Sequence, residues 1–252
     1  MNVNRNGLGK SSLGILMLDT CFPRPEGDIG NPQSFAVSVT TRVVAHAIPA
    51  AVVRPAAAMA GSTLVDAFCD AARDLADQGV WAIASSCGFL VLIQAELQSS
   101  VPGLPVRTSS LLQLPKLLSE HEKVGVLTID ATALGYEHLL AAGVPNERLA
   151  DVLIQGVAPH SEFVQKIMGN QRSMDFGAAQ KNVVEAALAL SRKAPSLKHL
   201  VLECTNMPPY QLVVERATGL QCWSLRDDPV LIELANSHCN AVLTSPLRQN
   251  RL

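Results

Sequence analysis

Short apolar runs alternate with stretches of helical periodicity along most of this chain, the pattern of an α/β protein built on parallel sheet. Leu13-Gly14-Ile15-Leu16-Met17-Leu18 forms the first run and stops at Asp19. Arg42 to Ile48 predicts a second strand, ended by Pro49. Beyond Ser62, Leu64, Ala67, Phe68, Ala71 and Leu75 recur at helical spacing, with Asp66, Asp70, Arg73, Asp74 and Asp77 on the wet side. Thr63 and Asp66 have the spacing of a capping box, and Gly79 suits the C-terminus of that helix. A third buried strand, Val80 to Ala84, then runs into Ser85-Ser86-Cys87-Gly88.

The second half repeats this order. Gly125-Val126-Leu127-Thr128-Ile129-Asp130 matches Gly14 to Asp19 position by position: Gly, β-branched, Leu, any residue, apolar, Asp. Asp151 to Gln155 predicts a short strand, and Ala178 to Arg192 a long helix with Val183, Val184, Ala187 and Leu188 on its apolar face. Leu200-Val201-Leu202-Glu203 is a third strand that runs into Cys204-Thr205-Asn206. The two glycine-led strands and the two strand-end cysteines are separated by nearly the same stretch of chain. This spacing predicts two similar flavodoxin-like α/β halves of parallel sheet, related by a pseudo-twofold axis, with a cleft between them. The first half is residues 1–110 with 221–252, and the second is 111–220. A strand near Leu220 to Leu225, and a helix with Asp228 as N-cap and Pro229 at its first position, are expected to pack back on the first half.

Composition narrows the partners. Of 252 residues, 48% are hydrophobic and 17% charged, which supports a sizeable core and excludes disorder. Net charge is −2, so no excess of cations is available for phosphates and nucleic acid is not an expected partner. The longest uncharged apolar stretch, Val80 to Ala95, falls short of the ~20 residues of a membrane span. The polar opening MNVNRNGLGKSS has no signal-peptide core, so a cytoplasmic location is expected. Gly7-Leu8-Gly9-Lys10-Ser11 ends like a P-loop but lacks the earlier glycine and precedes a strand, and no GxGxxG, GxSxG or HExxH occurs. No cofactor is expected.

The six cysteines form no CxxC pair, and neither they nor the six histidines show metal-ligand spacing, so free thiols and no metal are expected. In open parallel sheets ligands bind beyond the carboxyl ends of strands, where Asp19, Asp130, Cys87 and Cys204 all fall. Facing halves would bring Cys87 and Cys204 to one cleft from opposite sides, a site for acid–base work on both faces of a carbon. Gly88, Phe89, Thr205 and Asn206 follow them as candidates to hold a substrate carboxylate, mainly by backbone amides. Asp19, Asp130 and Thr132 are further binding candidates at strand ends. Cys21, Cys69, Cys222 and Cys239 read as packing residues. His138 and His160 read as helix-start or surface residues.

With GILMLDT and GVLTID opening the halves, SSCGF and LECTNMPP resemble the aspartate/glutamate racemase superfamily across essentially the whole chain. The resemblance implies a cofactor-independent racemase or epimerase of an amino acid or related carboxylate. In that reaction one of Cys87 and Cys204 removes the α-proton as thiolate and the other returns one to the opposite face. Members commonly carry Asn-Thr after the first cysteine, where this chain has Gly88-Phe89. Superfamily cis–trans isomerases and malonate decarboxylases are therefore alternatives, as is a non-catalytic small-molecule binding protein. The Gly- and Pro-rich segment Cys21 to Phe35 is expected to be a lid or substrate-selecting loop, with Arg24 a candidate carboxylate partner. Val183 to Leu190 is a candidate contact between the halves or in a homodimer.

Overall fold

The computed structural model describes residues 12–59 and 62–244, with backbone alone at 59 and 239–244. The P-loop-like segment 7–11 and the side chain of Cys239 therefore lie outside the described residues. Two four-stranded, all-parallel sheets form the frame. The first contains β1 (Ser12–Leu18), β2 (Ser38–Val44), β3 (Ala82–Ser85) and β4 (Val106–Arg107), in spatial order β2-β1-β3-β4. The second contains β5 (Val124–Thr128), β6 (Val152–Gly156), β7 (His199–Leu202) and β8 (Gln221–Trp223), in the order β6-β5-β7-β8. The duplication read from the sequence is thus a duplication of topology as well.

β1 shows why its run has no polar positions. Leu16 and Leu18 pack into a core shared with the second half, whereas Leu13, Ile15 and Met17 join a smaller cluster with Trp81, Leu225 and Leu231 on the opposite face. The helix Thr63–Asp77 buries Phe68, Cys69, Ala71, Ala72 and Leu75. Its cap is one residue earlier than expected, because the Ser62 hydroxyl accepts the Leu64 N–H at 3.2 Å. The long helix of the second half spans Phe176–Lys193, capped by Asp175 and buried through Ala179, Val183, Ala186, Ala187 and Leu190.

The end of the chain divides between the halves, contrary to expectation. β8 pairs with β7 and extends the second sheet, so the strand expected on the first half belongs to the second. The helix Pro229–Thr244 does return to the first half, with Leu231 against the β1 cluster and Trp81 stacked on His238 at 5.3 Å. Asp228 anchors this return by capping the helix and by an ion pair with Arg107 at 2.7 Å. Among the described residues no helix is long and apolar enough to cross a membrane.

Candidate functional site

Cys87 and Cys204 stand at equivalent places, each just beyond the third strand of its half. Both line one narrow cleft between the halves, about 320 Å³ including its mouth. Its walls are mostly apolar: Leu18, Phe22, Val53 and Phe89 from the first half, Ile129 and Ile167 from the second. Gly88, Thr205 and Asn206 line it too. The structure therefore gathers six of the nine expected site residues around one space.

The polypeptide is pinned on both sides. Ser86 N–H donates to the Leu16 carbonyl, and the Ser86 hydroxyl accepts the Leu18 N–H at 3.0 Å. Across the cleft, the Thr205 hydroxyl donates to the Ser86 carbonyl at 2.6 Å, and the Thr205 carbonyl accepts the Ile29 N–H at 3.1 Å. Thr205 thus ties the halves together, and its hydroxyl is already committed. Asn206 is equally occupied: its amide donates to Asp28 at 2.6 Å, and its side-chain oxygen accepts the Cys204 thiol at 3.5 Å.

The segment Cys21 to Phe35 gives Phe22 to the cleft wall and reaches the second half through Ile29, and Arg24 has a different role from the one expected. Its guanidinium donates to the buried Asp28 carboxylate at 2.8 Å and to Thr20 at 3.1 Å, and it lies 4.5 Å above the Phe22 ring. Arg24, Asp28, Asn206 and Cys204 form one chain of contacts, so Arg24 supports the cysteine loop. The exposed Cys21 fastens the start of the segment to the second half, with N–H and thiol both donating to Asn170, at 2.7 and 2.8 Å.

Three expected binding residues are elsewhere. Asp19 is exposed and accepts the His46 N–H at 3.1 Å, closing the turn after β2. Asp130 accepts N–H groups from Thr132 and Ala133 and the Thr132 hydroxyl, a self-satisfied turn. Asp130 and Thr132 line a separate, wider hollow at the end of the second sheet. Each carboxylate lies at a strand end, as expected, but Asp19 is spent on the neighbouring turn and Asp130 on its own. His138 does start a helix, yet it is buried, with its ring edge-on to Phe89 at 4.9 Å.

Glu203, named in the sequence only as the end of a strand, is the main residue missed. It is 1% exposed and lines the cleft between the cysteines' two loops. One carboxylate oxygen accepts the Thr128 hydroxyl at 2.7 Å, while the other is buried without any hydrogen-bond partner. A side chain at position 88 would collide with that free oxygen and with the Glu203 carbonyl. The carboxylate thus fills the space that a side chain following Cys87 would take. A charged residue closing a fully buried strand was the available signal.

These surroundings set the ionisation states. Burial pushes the Cys87 thiol up to about 12, helped by the Glu203 charge, while the Phe89 and Leu90 amides and Arg24 pull it down. Burial, then Glu203, lifts the Cys204 thiol well above its usual range; Cys87 and Asp28 add to the rise, and the Asn206 amide opposes it. Burial pushes Glu203 up to about 7 against the Thr128 hydrogen bond. Both sulfurs therefore rest as thiols at neutral pH, while Glu203 lies near its midpoint and ionises before either of them. Among the described residues no cluster of three or more His, Cys, Asp or Glu side chains is placed to hold a metal ion.

No family model matches the chain. It is 29% identical over 245 residues to dimethylsulfoniopropionate lyase 7 of Emiliania huxleyi, covering 93% of this chain and 68% of that protein. A dimethylsulfoniopropionate lyase of Durusdinium sp. clade D is 29% identical over 218 residues, covering 83% and 70%. Among solved structures, glutamate racemase of Francisella tularensis aligns with a TM-score of 0.55 at 17% identity, over 92% of this chain and 84% of that one. Aspartate racemase of Picrophilus torridus gives 0.53 at 15%, over 90% and 94%. A variant of arylmalonate decarboxylase gives 0.54 at 16%, over 89% and 93%.

The structural likenesses establish the fold that the resemblance implied. They do not establish its reaction. The expectation of a racemase or epimerase is overturned by the curated relatives, which are named lyases, and the isomerase, decarboxylase and binding-protein alternatives give way with it. The physical reason is that a thiolate beside an α-carbon begins several reactions alike. Once the proton has left, the substituents of the substrate decide the outcome, and two cysteines do not encode them.

Proposed function

We propose that this chain is a lyase that eliminates dimethyl sulfide from dimethylsulfoniopropionate. The observation that carries the reading is the pair of buried thiols on one apolar cleft, in a chain whose curated relatives bear that lyase's name. A thiolate drawn from the Cys87–Cys204 pair removes the proton next to the carboxylate. The released electron pair forms the carbon–carbon double bond as the bond to the sulfonium sulfur breaks. The products are acrylate, neutral dimethyl sulfide and one proton, so the atoms and charges balance without any cofactor.

The lining suits this chemistry. Leu18, Val53, Ile129 and Ile167 offer an apolar wall to the two S-methyl groups. Charge building on the substrate carboxylate is met by the Gly88 amide at the head of the turn after Cys87, while the Phe89 and Leu90 amides are aimed at the Cys87 sulfur. A racemase needs two matched acid–base groups, whereas an elimination needs one base.

Purified protein incubated with dimethylsulfoniopropionate should release dimethyl sulfide into the headspace. Cys87→Ser and Cys204→Ser should each lower turnover, by ~10²–10⁴-fold for the one that supplies the base. Absence of dimethyl sulfide with the unaltered protein, or full turnover in both variants, overturns the reading.

A further inference from the structure

Glu203 is a buried carboxylate with a function unaccounted for. One oxygen is held by Thr128, but the other faces the cleft with no donor, packed on the backbone of Gly88 beside Cys87 and carried on the residue before Cys204. Leaving a buried carboxylate oxygen unpaired is costly, and a residue retained only for packing would be better uncharged. Cys87 from the turn after β3 and Cys204 from its own loop feel its charge without being hydrogen-bonded to it, and Thr128 from β5 holds its other oxygen. Arg24 and Asp28, from the segment Cys21 to Phe35, and Tyr210 act on the same sulfurs from farther out.

We propose that Glu203 is the proton acceptor that ionises a cleft thiol: its free oxygen takes the S–H proton once the cationic substrate is seated. The substrate part of this proposal rests on the lyase reading. In the step, an S–H bond breaks and an O–H bond forms on Glu203. The thiolate then takes the α-proton, re-forming S–H as the double bond forms and dimethyl sulfide departs. Glu203 finally loses its proton to solvent, which restores the resting state. The charge order supports this sequence. An ionised Glu203 raises both thiols, so accepting a proton removes that penalty as the thiolate forms. The sulfonium then supplies a positive neighbour for the new negative sulfur.

The test is Glu203→Gln, which keeps the size of the side chain and the Thr128 contact. In ligand-free protein, loss of the carboxylate charge should lower both thiol pKa values, so iodoacetamide alkylation at pH 8 should speed up severalfold. Turnover should move the other way: kcat should fall at least about 100-fold, and kcat/KM, which reports the ligand-free enzyme, should lose its acid limb near pH 7, the value to which burial lifts Glu203. Glu203→Asp should restore part of it. Folding serves as a control: a carboxylate with a raised pKa favours the native state at low pH, and its contribution is lost as pH rises through about 7. The variant should accordingly be no less stable than the original above that pH.

An unchanged alkylation profile overturns the proposal whatever the substrate. A raised KM with kcat intact also overturns it, since the carboxylate would then only pair with the sulfonium. If the unaltered protein releases no dimethyl sulfide, the lyase reading falls, and the alkylation arm still decides whether Glu203 governs the sulfurs.

Discussion

The two strand ends that carry the cysteines share a backbone plan and differ in their electrostatics. After β3 the chain reads Ser85-Ser86-Cys87-Gly88 and turns directly into a 3-10 helix, so Cys87 faces the Phe89 and Leu90 amides with Arg24 nearby. After β7 it reads Glu203-Cys204-Thr205-Asn206, and Cys204 is a donor to Asn206 with Asp28 and Glu203 as anionic neighbours. Burial and Glu203 raise both sulfurs, but two amides and Arg24 offset the rise at Cys87, whereas at Cys204 only the Asn206 amide does and Asp28 adds to it. Duplication preserved the position of the thiols and let their environments diverge. Such an unequal pair suits a reaction that runs in one direction from one base better than one exchanging protons across a mirror plane.

That contrast can be broken most forcefully at Asp28. Asp28→Ala leaves Arg24 buried without its carboxylate and Asn206 without its acceptor. We expect a loss of about 3–5 kcal/mol in chemical denaturation, as for other broken buried ion pairs. In whatever fraction remains folded, Cys204 should alkylate faster and Cys87 should change less, because Asp28 raises only the Cys204 thiol among the two.

The residues next to the cysteines give a smaller, paired test. Gly88→Ala adds a methyl group where Glu203 already lies, which should cost about 1–3 kcal/mol by overpacking and displace the carboxylate. Thr205→Val keeps the volume but removes the donor to the Ser86 carbonyl, and should cost about 1–2 kcal/mol in thermal or urea unfolding. Turnover should suffer more from the first substitution than from the second. Equal effects on turnover would mean that the carboxylate's position is immaterial.

Much of this frame was legible in the residues. Unbroken apolar runs marked β1, β3, β5 and β7 because strands covered on both faces have no polar positions to confuse the pattern. The glycine-led repeat then located both cysteines. What escaped depends on contacts that no local pattern records. Glu203 is buried because a glycine from the other half packs on it. Asp19 and Asp130 stand at the right ends of their strands but are consumed by neighbouring N–H groups. β8 is only three residues long, and its allegiance is set by pairing with β7. The proposed reaction was the hardest to read, since racemisation and elimination open with the same proton.

The segment Cys21 to Phe35 is stitched to the opposite half at two distant points, Cys21 on Asn170 and Ile29 on Thr205. Those ties are hydrogen bonds, each worth about 1 kcal/mol, whereas the two halves also share a continuous hydrophobic interior. The segment is consequently held to the far half by polar stitches laid over a solid wall.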